Sequence, residues 1–148
     1  MIFEWEIKKF EDLTIDNLYS ILKLRSEIFV VEQNCIFLDI DDIDKKAIHI
    51  YSLNKKKECI AYARINNSGD YYKEYVAISR IMIKKNYRRK KEGYTLVNKA
   101  ISVSLDNFIN QDIKISAQKH LEKFYKKLGF KFKGENYIED GILHCAMY

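Results

Sequence analysis

Apolar positions along the chain fall into two kinds of stretch: short, nearly continuous runs, and longer stretches in which they recur three or four residues apart. Leu18, Ile21, Leu22, Ile28 and Phe29 recur at the spacing of one helix face, and Thr14 stands where a capping hydroxyl belongs. Residues 4–8 read as a strand before that helix. Ile48–Leu53 and residues 59–65 read as two more, joined by a polar Asn-Lys-Lys-Lys-Glu turn. Asn66-Asn-Ser-Gly-Asp70 is the clearest loop, and residues 75–83 form the next strand. Leu96, Val97, Ala100, Ile101, Leu105 and Phe108 outline the apolar face of a second helix. Residues 113–116 make a short strand and residues 121–128 a short helix, with Gly129 placed to end it. Strands over 131–137 and 142–148 flank a Glu-Asp-Gly turn at residues 139–141. This order predicts an α/β (α+β) domain over residues 1–148, with a central sheet and helices on both faces.

Length and composition narrow the partners. The chain has 148 residues, enough for one domain around a single core. A balance of 47% hydrophobic to 32% charged residues is that of a globular chain. The net charge of +5, from 26 Lys+Arg against 21 Asp+Glu, permits an anionic partner without demanding one. A dedicated nucleic-acid binder carries a larger and more patterned excess. Cys35, Cys59 and Cys145 are odd in number and far apart, which argues against a disulfide framework and for a reducing, cytoplasmic setting. The N-terminal residues lack the apolar core of a signal peptide, and no apolar run approaches membrane-spanning length, so no membrane partner is expected.

The segment from Ile78 to Ile101 carries the chemistry. An apolar strand runs into a loop with six cations (Lys84, Lys85, Arg88, Arg89, Lys90, Lys91) and a single glycine, Gly93, and a helix pattern follows at once. Backbone N–H groups at a helix start point outward, and the dipole there favours negative charge, so the arrangement suits a phosphate-bearing cofactor. It is neither a Walker loop nor a G-x-G-x-x-G dinucleotide fingerprint.

Arg88-Arg-Lys-Lys91-Glu-Gly93 resembles the R/Q-x-x-G-x-G/A motif of the GNAT acyltransferases. Further segments resemble their ElaA-type branch, in chain order: Phe29-Val-Val-Glu-Gln-Asn-Cys35, Leu38-Asp-Ile-Asp41, Ala61-Tyr-Ala-Arg64, the stretch from Ala117 to Phe130, and Glu139-Asp-Gly-Ile-Leu-His144. The resemblance covers nearly the whole chain. It implies a mixed, mostly antiparallel GNAT sheet and acetyl-CoA as acyl donor. Ile81, Met82 and Ile83 would lie along the pantetheine arm, and Arg88, Arg89, Lys90, Lys91, Glu92, Gly93 and Tyr94 would surround the pyrophosphate. The chain departs from the motif at Lys91, where glycine is usual. A lysine can donate its N–H there, but it loses glycine's ease should the loop require positive φ.

The resemblance also implies that Tyr125, in Phe124-Tyr125-x-x-x-Gly129-Phe130, protonates the departing CoA thiolate; without it, Tyr125 reads as an aromatic packed on a short helix. The acceptor, a small-molecule or peptide amine, arrives protonated and needs a base. Glu32, His120, Glu139, Asp140 and His144 are the candidates. Glu32 follows the first helix. His120 stands at a helix start, which should lower its pKa. These two lead, and His144 reads as a packed strand residue. The acidic stretch 39–44 fails as a calcium loop, since it lacks the sixth-position glycine and Ile50 takes the place of the bidentate Glu. No metal is expected. The stretch reads as a solvated loop or as an acidic rim that attracts a cationic acceptor. Cys35 has no assigned histidine partner, so direct transfer in a ternary complex is favoured over an acyl-cysteine. Two other readings stay open: a CoA-binding module without catalysis, and a nucleic-acid contact through residues 84–91. A homodimer is equally open.

Overall fold

The computed structural model describes residues 3–88 and 91–148. Seven strands form one sheet in the order β1-β2-β3-β4-β5-β7-β6. They are β1 (Trp5–Lys9), β2 (Ile48–Leu53), β3 (Cys59–Asn66), β4 (Val76–Ile83), β5 (Ile113–Gln118), β6 (Phe132–Glu139) and β7 (Ile142–Met147). All neighbours run antiparallel except β4 and β5. This is the mixed, mostly antiparallel sheet expected from the sequence. Local chemistry shapes its hairpins. Between β2 and β3 the Asn54 side chain accepts the N–H groups of Lys56 and Glu58, at 2.9 and 3.0 Å. Between β6 and β7, Asp140 and Gly141 both take positive φ, +49° and +80°, which suits a two-residue turn to the twist of its strands.

The strand pleat divides the core between two sets of helices. Ile48, Ile50, Ala63, Ile65, Val76 and Ile78 face α2 (Glu92–Asn107) and α3 (Glu122–Lys127). Tyr51, Tyr62 and Met82 face α1 (Ile15–Arg25), meeting Ile21 and Leu24. Thr14 caps α1 as expected, its hydroxyl accepting from Asn17 N at 3.0 Å. Beyond Arg25 the helix widens into a π-helical stretch, Ser26–Glu32, which brings Glu32 within 2.8 Å of Arg88 beyond the end of β4. One expected core position fails: Leu105 is 54% exposed, and Val103 takes its place. Nine residues of helix rotate Leu105 half a turn away from Leu96, whereas seven bring Val103 back beneath it. Among the described residues no helix is long and apolar enough to cross a membrane.

The acidic stretch 39–44 is neither a solvated loop nor an acidic rim. Asp39, Asp41 and Asp44 alternate with Arg25, Arg64 and Arg80 in a closed ring in which each arginine bridges two carboxylates. Arg25 meets Asp39 at 2.8 Å and Asp44 at 2.6 Å, and Arg64 meets Asp41 at 2.8 Å and Asp44 at 2.9 Å. Arg25 and Arg64 are fully buried, so their charges require partners there. Only Asp42 points outward, its side chain 89% exposed. The ring also reaches the sheet's main irregularity. β3 pairs Tyr62 with Met82 but Arg64 with Ser79, so β4 carries an extra residue between them. Arg80 stands in this bulge with a left-handed φ of +55°, and Asp39 takes its Nε at 2.7 Å.

Candidate active site

β4 and β5 pair only at Val76–Ile113 and Ala77–Lys114. Beyond those pairs the two strands are no longer bonded, and the bulge at Arg80 lies on the unpaired part of β4. Between them opens a cleft of about 670 Å³. Residues from Ile78 to Ile83 line one wall, and Ile115, Ser116 and Gln118 line the other. All the described candidate residues border it: Ile81, Met82 and Ile83; Arg88, Lys91, Glu92, Gly93 and Tyr94; Glu32, His120 and Tyr125. Arg89 and Lys90 lie outside the described residues.

One end of the cleft is the start of α2. Lys91 precedes the helix with φ +61° and ψ +12°, so the loop does require the left-handed conformation that glycine adopts more readily. Among the described residues no side chain caps the helix, and the N–H groups of Glu92, Gly93 and Tyr94 precede the first intrahelical donor, Thr95 N, which bonds the Lys91 carbonyl. Donors so arranged suit a phosphate oxygen. Gly93 lets α2 approach α3 closely: a Cβ there would touch the Phe124 ring at 3.4 Å. The loop cations are partly committed elsewhere. Arg88 donates through Nε to the Ile83 carbonyl at 2.7 Å and meets Glu32 at 2.8 Å, and Lys84 lies 3.8 Å from Glu27. Arg88 thus braces the exit of β4, and Glu32 serves as its counter-ion beside the loop. Ion pairs inside the protein leave these cations less available to track a nucleic-acid backbone.

Tyr125 is on α3, packed edge to face against Phe124 and Phe130, with ring centroids 5.0 and 6.0 Å away. Burial pushes its phenol well above the ordinary value, so the hydroxyl keeps its proton at any working pH. Among the described residues it makes no side-chain hydrogen bond, leaving the proton uncommitted beside the cleft. His120 is exposed on the turn Lys119–Leu121 that leads into α3, at the cleft margin. Cys35 is buried and its thiol donates to the Asp140 carbonyl at 3.0 Å. Burial and the Asp140 charge push that thiol upward, a poor setting for a nucleophile.

Sequence reasoning underrated the wall formed by β5, β6 and β7. Gln118, His144 and Tyr137 stand in register across these strands. Tyr137 stacks on His144 at 6.1 Å and hydrogen-bonds Ser116 Oγ, which in turn donates to Glu139 at 3.3 Å. The only signal in the chain was the hairpin itself, whose short turn sets Tyr137 opposite His144 once the register is known.

A family model described as an acetyltransferase (GNAT) domain matches residues 39–148. The ElaA protein of Escherichia coli is 37% identical over 147 residues, 99% of this chain and 95% of its own. Its crystal structure matches with a TM-score of 0.90 at 36% identity, covering 97% of each chain. The crystal structure of an acyl-CoA N-acyltransferase from Pseudomonas aeruginosa matches with a TM-score of 0.92 at 30% identity, covering 99% of this chain and 98% of that one.

Proposed function

The chain belongs to the GNAT acetyltransferases, in their ElaA-type branch, and transfers acyl groups from a CoA-type donor; on that premise we propose that residues 1–148 act as one acetyltransferase domain moving an acetyl group from acetyl-CoA to a primary amine. The parting of β4 from β5 is the observation that carries this reading. An extended arm fits between two strands that no longer bond to each other, and the β4 backbone beyond the Arg80 bulge at Ile81, Met82 and Ile83 is the natural partner for its amides. The N–H groups of Glu92, Gly93 and Tyr94 would hold the pyrophosphate, with Lys91 and Arg88 beside it. When bound, the donor supplies an activated thioester carbonyl.

The chain's own residues do the rest. A backbone amide at the bulge polarises that carbonyl. The acceptor nitrogen attacks directly while both substrates are bound. Tyr125, kept protonated by burial, gives its proton to the leaving sulfur. The test is a thermal-shift titration with acetyl-CoA at low and moderate salt, with a DNA duplex as control, followed by Tyr125→Phe. Acetyl-CoA at a hundred times its Kd should add about 2.7 kcal/mol of stability and survive moderate salt. Tyr125→Phe should lower kcat roughly 100-fold while acetyl-CoA affinity holds. A shift only with DNA would overturn the enzyme reading, and equal turnover by Tyr125→Phe would make the tyrosine structural.

A further inference from the structure

His144 lies on β7 at the cleft wall, its side chain only 10% exposed, between Gln118 of β5 and Tyr137 of β6. Its two ring nitrogens have different surroundings. Nδ1 lies 2.8 Å from the Ile142 carbonyl oxygen, which can only accept, so the neutral ring carries its proton on Nδ1. That leaves a lone pair on Nε2, 3.6 Å from Glu139 Oε2. A lone pair facing a carboxylate is mildly repulsive, and a proton arriving at Nε2 converts the repulsion into an ion pair. Glu139 is itself held: Ser116 Oγ donates to it at 3.3 Å, and Ser116 is fixed by the Tyr137 hydroxyl. Other polar groups lining the same cleft include Asp140 in the hairpin turn, Tyr71 and Tyr72 from the segment between β3 and β4, and His120 at the margin. No lysine or arginine neutralises Glu139 among the described residues, in contrast to Glu32.

We propose that His144 is the base that removes a proton from the acceptor's ammonium group, with Glu139 as the positioning residue that stabilises the imidazolium. This rests on the amine-acetyltransferase reading above and assigns the step that Glu32 and His120 were expected to serve. The balance is simple. The ammonium loses one proton to His144 Nε2, and the freed nitrogen bonds to the acetyl carbon as the carbon–sulfur bond breaks. Tyr125 gives its proton to sulfur, and the nitrogen's second proton restores the phenol. The products are the amide, the CoA thiol and one proton, which His144 returns to solvent.

The proposal is tested in two ways on the full chain. First, imidazole nitrogens in the 15N-labelled wild-type protein are assigned with His120→Gln and His144→Gln, and their tautomers read by NMR. Neutral His144 is expected to carry its proton on Nδ1; a proton on Nε2 overturns the proposal whatever the acceptor. Second, CoA release from acetyl-CoA is followed against pH with spermidine, 2-phenylethylamine and lysine methyl ester. His144→Gln should lower kcat/KM about 100-fold or more and flatten the acid limb of the profile, with the acetyl-CoA thermal shift preserved. Glu139→Gln should move that limb to lower pH, because the imidazolium loses its counter-charge. An unchanged profile in His144→Gln overturns the proposal. If acetyl-CoA binds but none of the amines is acetylated, the amine reading fails, and the tautomer measurement still decides the role of His144.

Discussion

Residues 39–44 carry four aspartates, and residues 139–140 pair a glutamate with an aspartate. By charge count the first stretch is the stronger candidate for recognising a cation. In the fold the roles reverse. Asp39, Asp41 and Asp44 are consumed by Arg25, Arg64 and Arg80, drawn from α1, β3 and β4, and the ring holds the bulged strand that forms one cleft wall. Glu139 faces the cleft beside the Ser116 hydroxyl and the His144 ring, and among the described residues no lysine or arginine pairs with it. A count of charges therefore says little about chemistry. What matters is whether a carboxylate's partner is a permanent cation or a group that can gain and lose a proton.

The largest effect that would break this comparison is on stability. Arg25→Met leaves Asp39 and Asp44 buried without a guanidinium they share, and should cost about 3–5 kcal/mol. Glu139→Gln, half open to solvent, should change stability by less than about 1 kcal/mol. Urea unfolding measures both, and a near-wild-type midpoint for Arg25→Met would remove the structural role of the ring.

The next effect is on pH dependence. Burial acts to raise the Asp44 pKa, but the hydrogen bonds and charges of Arg25 and Arg64 outweigh it and leave the carboxyl below its ordinary value. The stability this contributes is present above the unfolded value of about 3.9 and is lost as pH falls through the lower folded value. His49 acts earlier. Its Nε2 donates to the Asp44 carbonyl at 2.9 Å, its Nδ1 accepts from the Tyr62 hydroxyl at 2.6 Å, and burial lowers its pKa. The unfolded chain takes up that proton near pH 6.5 while the folded chain resists it, so stability should begin to fall below that pH. The slope is at most about 1.4 kcal/mol per pH unit for one proton. Chemical denaturation at stepped pH should show the decline starting above pH 5 in wild type and only at lower pH in His49→Gln. A flat wild-type curve down to pH 4 would contradict the burial of His49.

The smallest effect sharpens the contrast. Asp42→Asn removes the one outward-facing charge of the first stretch while keeping a residue that tolerates φ of +65°. Stability should stay within about 0.5 kcal/mol, and acceptor KM should not move. A raised KM would restore the acidic rim as a substrate feature.

Much of the fold was legible. Helix spacing and the Thr14 cap located α1, and Ile48–Leu53 matched β2 residue for residue. The strand–loop–helix signature located the α2 end of the cleft, and the departure at Lys91 correctly flagged a backbone position needing positive φ. Arg25 was missed because a charged residue on the inner face of a helix looks like an ordinary outer one until its partners, 14 and 19 residues away, are known. Leu105 was misplaced because a residue can be apolar and still fall on the wrong side of the helix turn.

What the sequence determined by itself was what depends on neighbours along the chain. That includes the element order, the turns at Asn54 and Asp140-Gly141, and the basic loop leading into a helix start. Hydrophobic period, capping and turn chemistry act over a few residues, so they can be read locally. Only the tertiary structure decided which charges survive. Arg25 reaches Asp44, Arg80 reaches Asp39, and His144 meets Glu139 rather than a lysine, and each outcome follows from strand register and helix placement. Electrostatic partners are set by distance in space and by the exclusion of water, and neither quantity is written in the order of the residues.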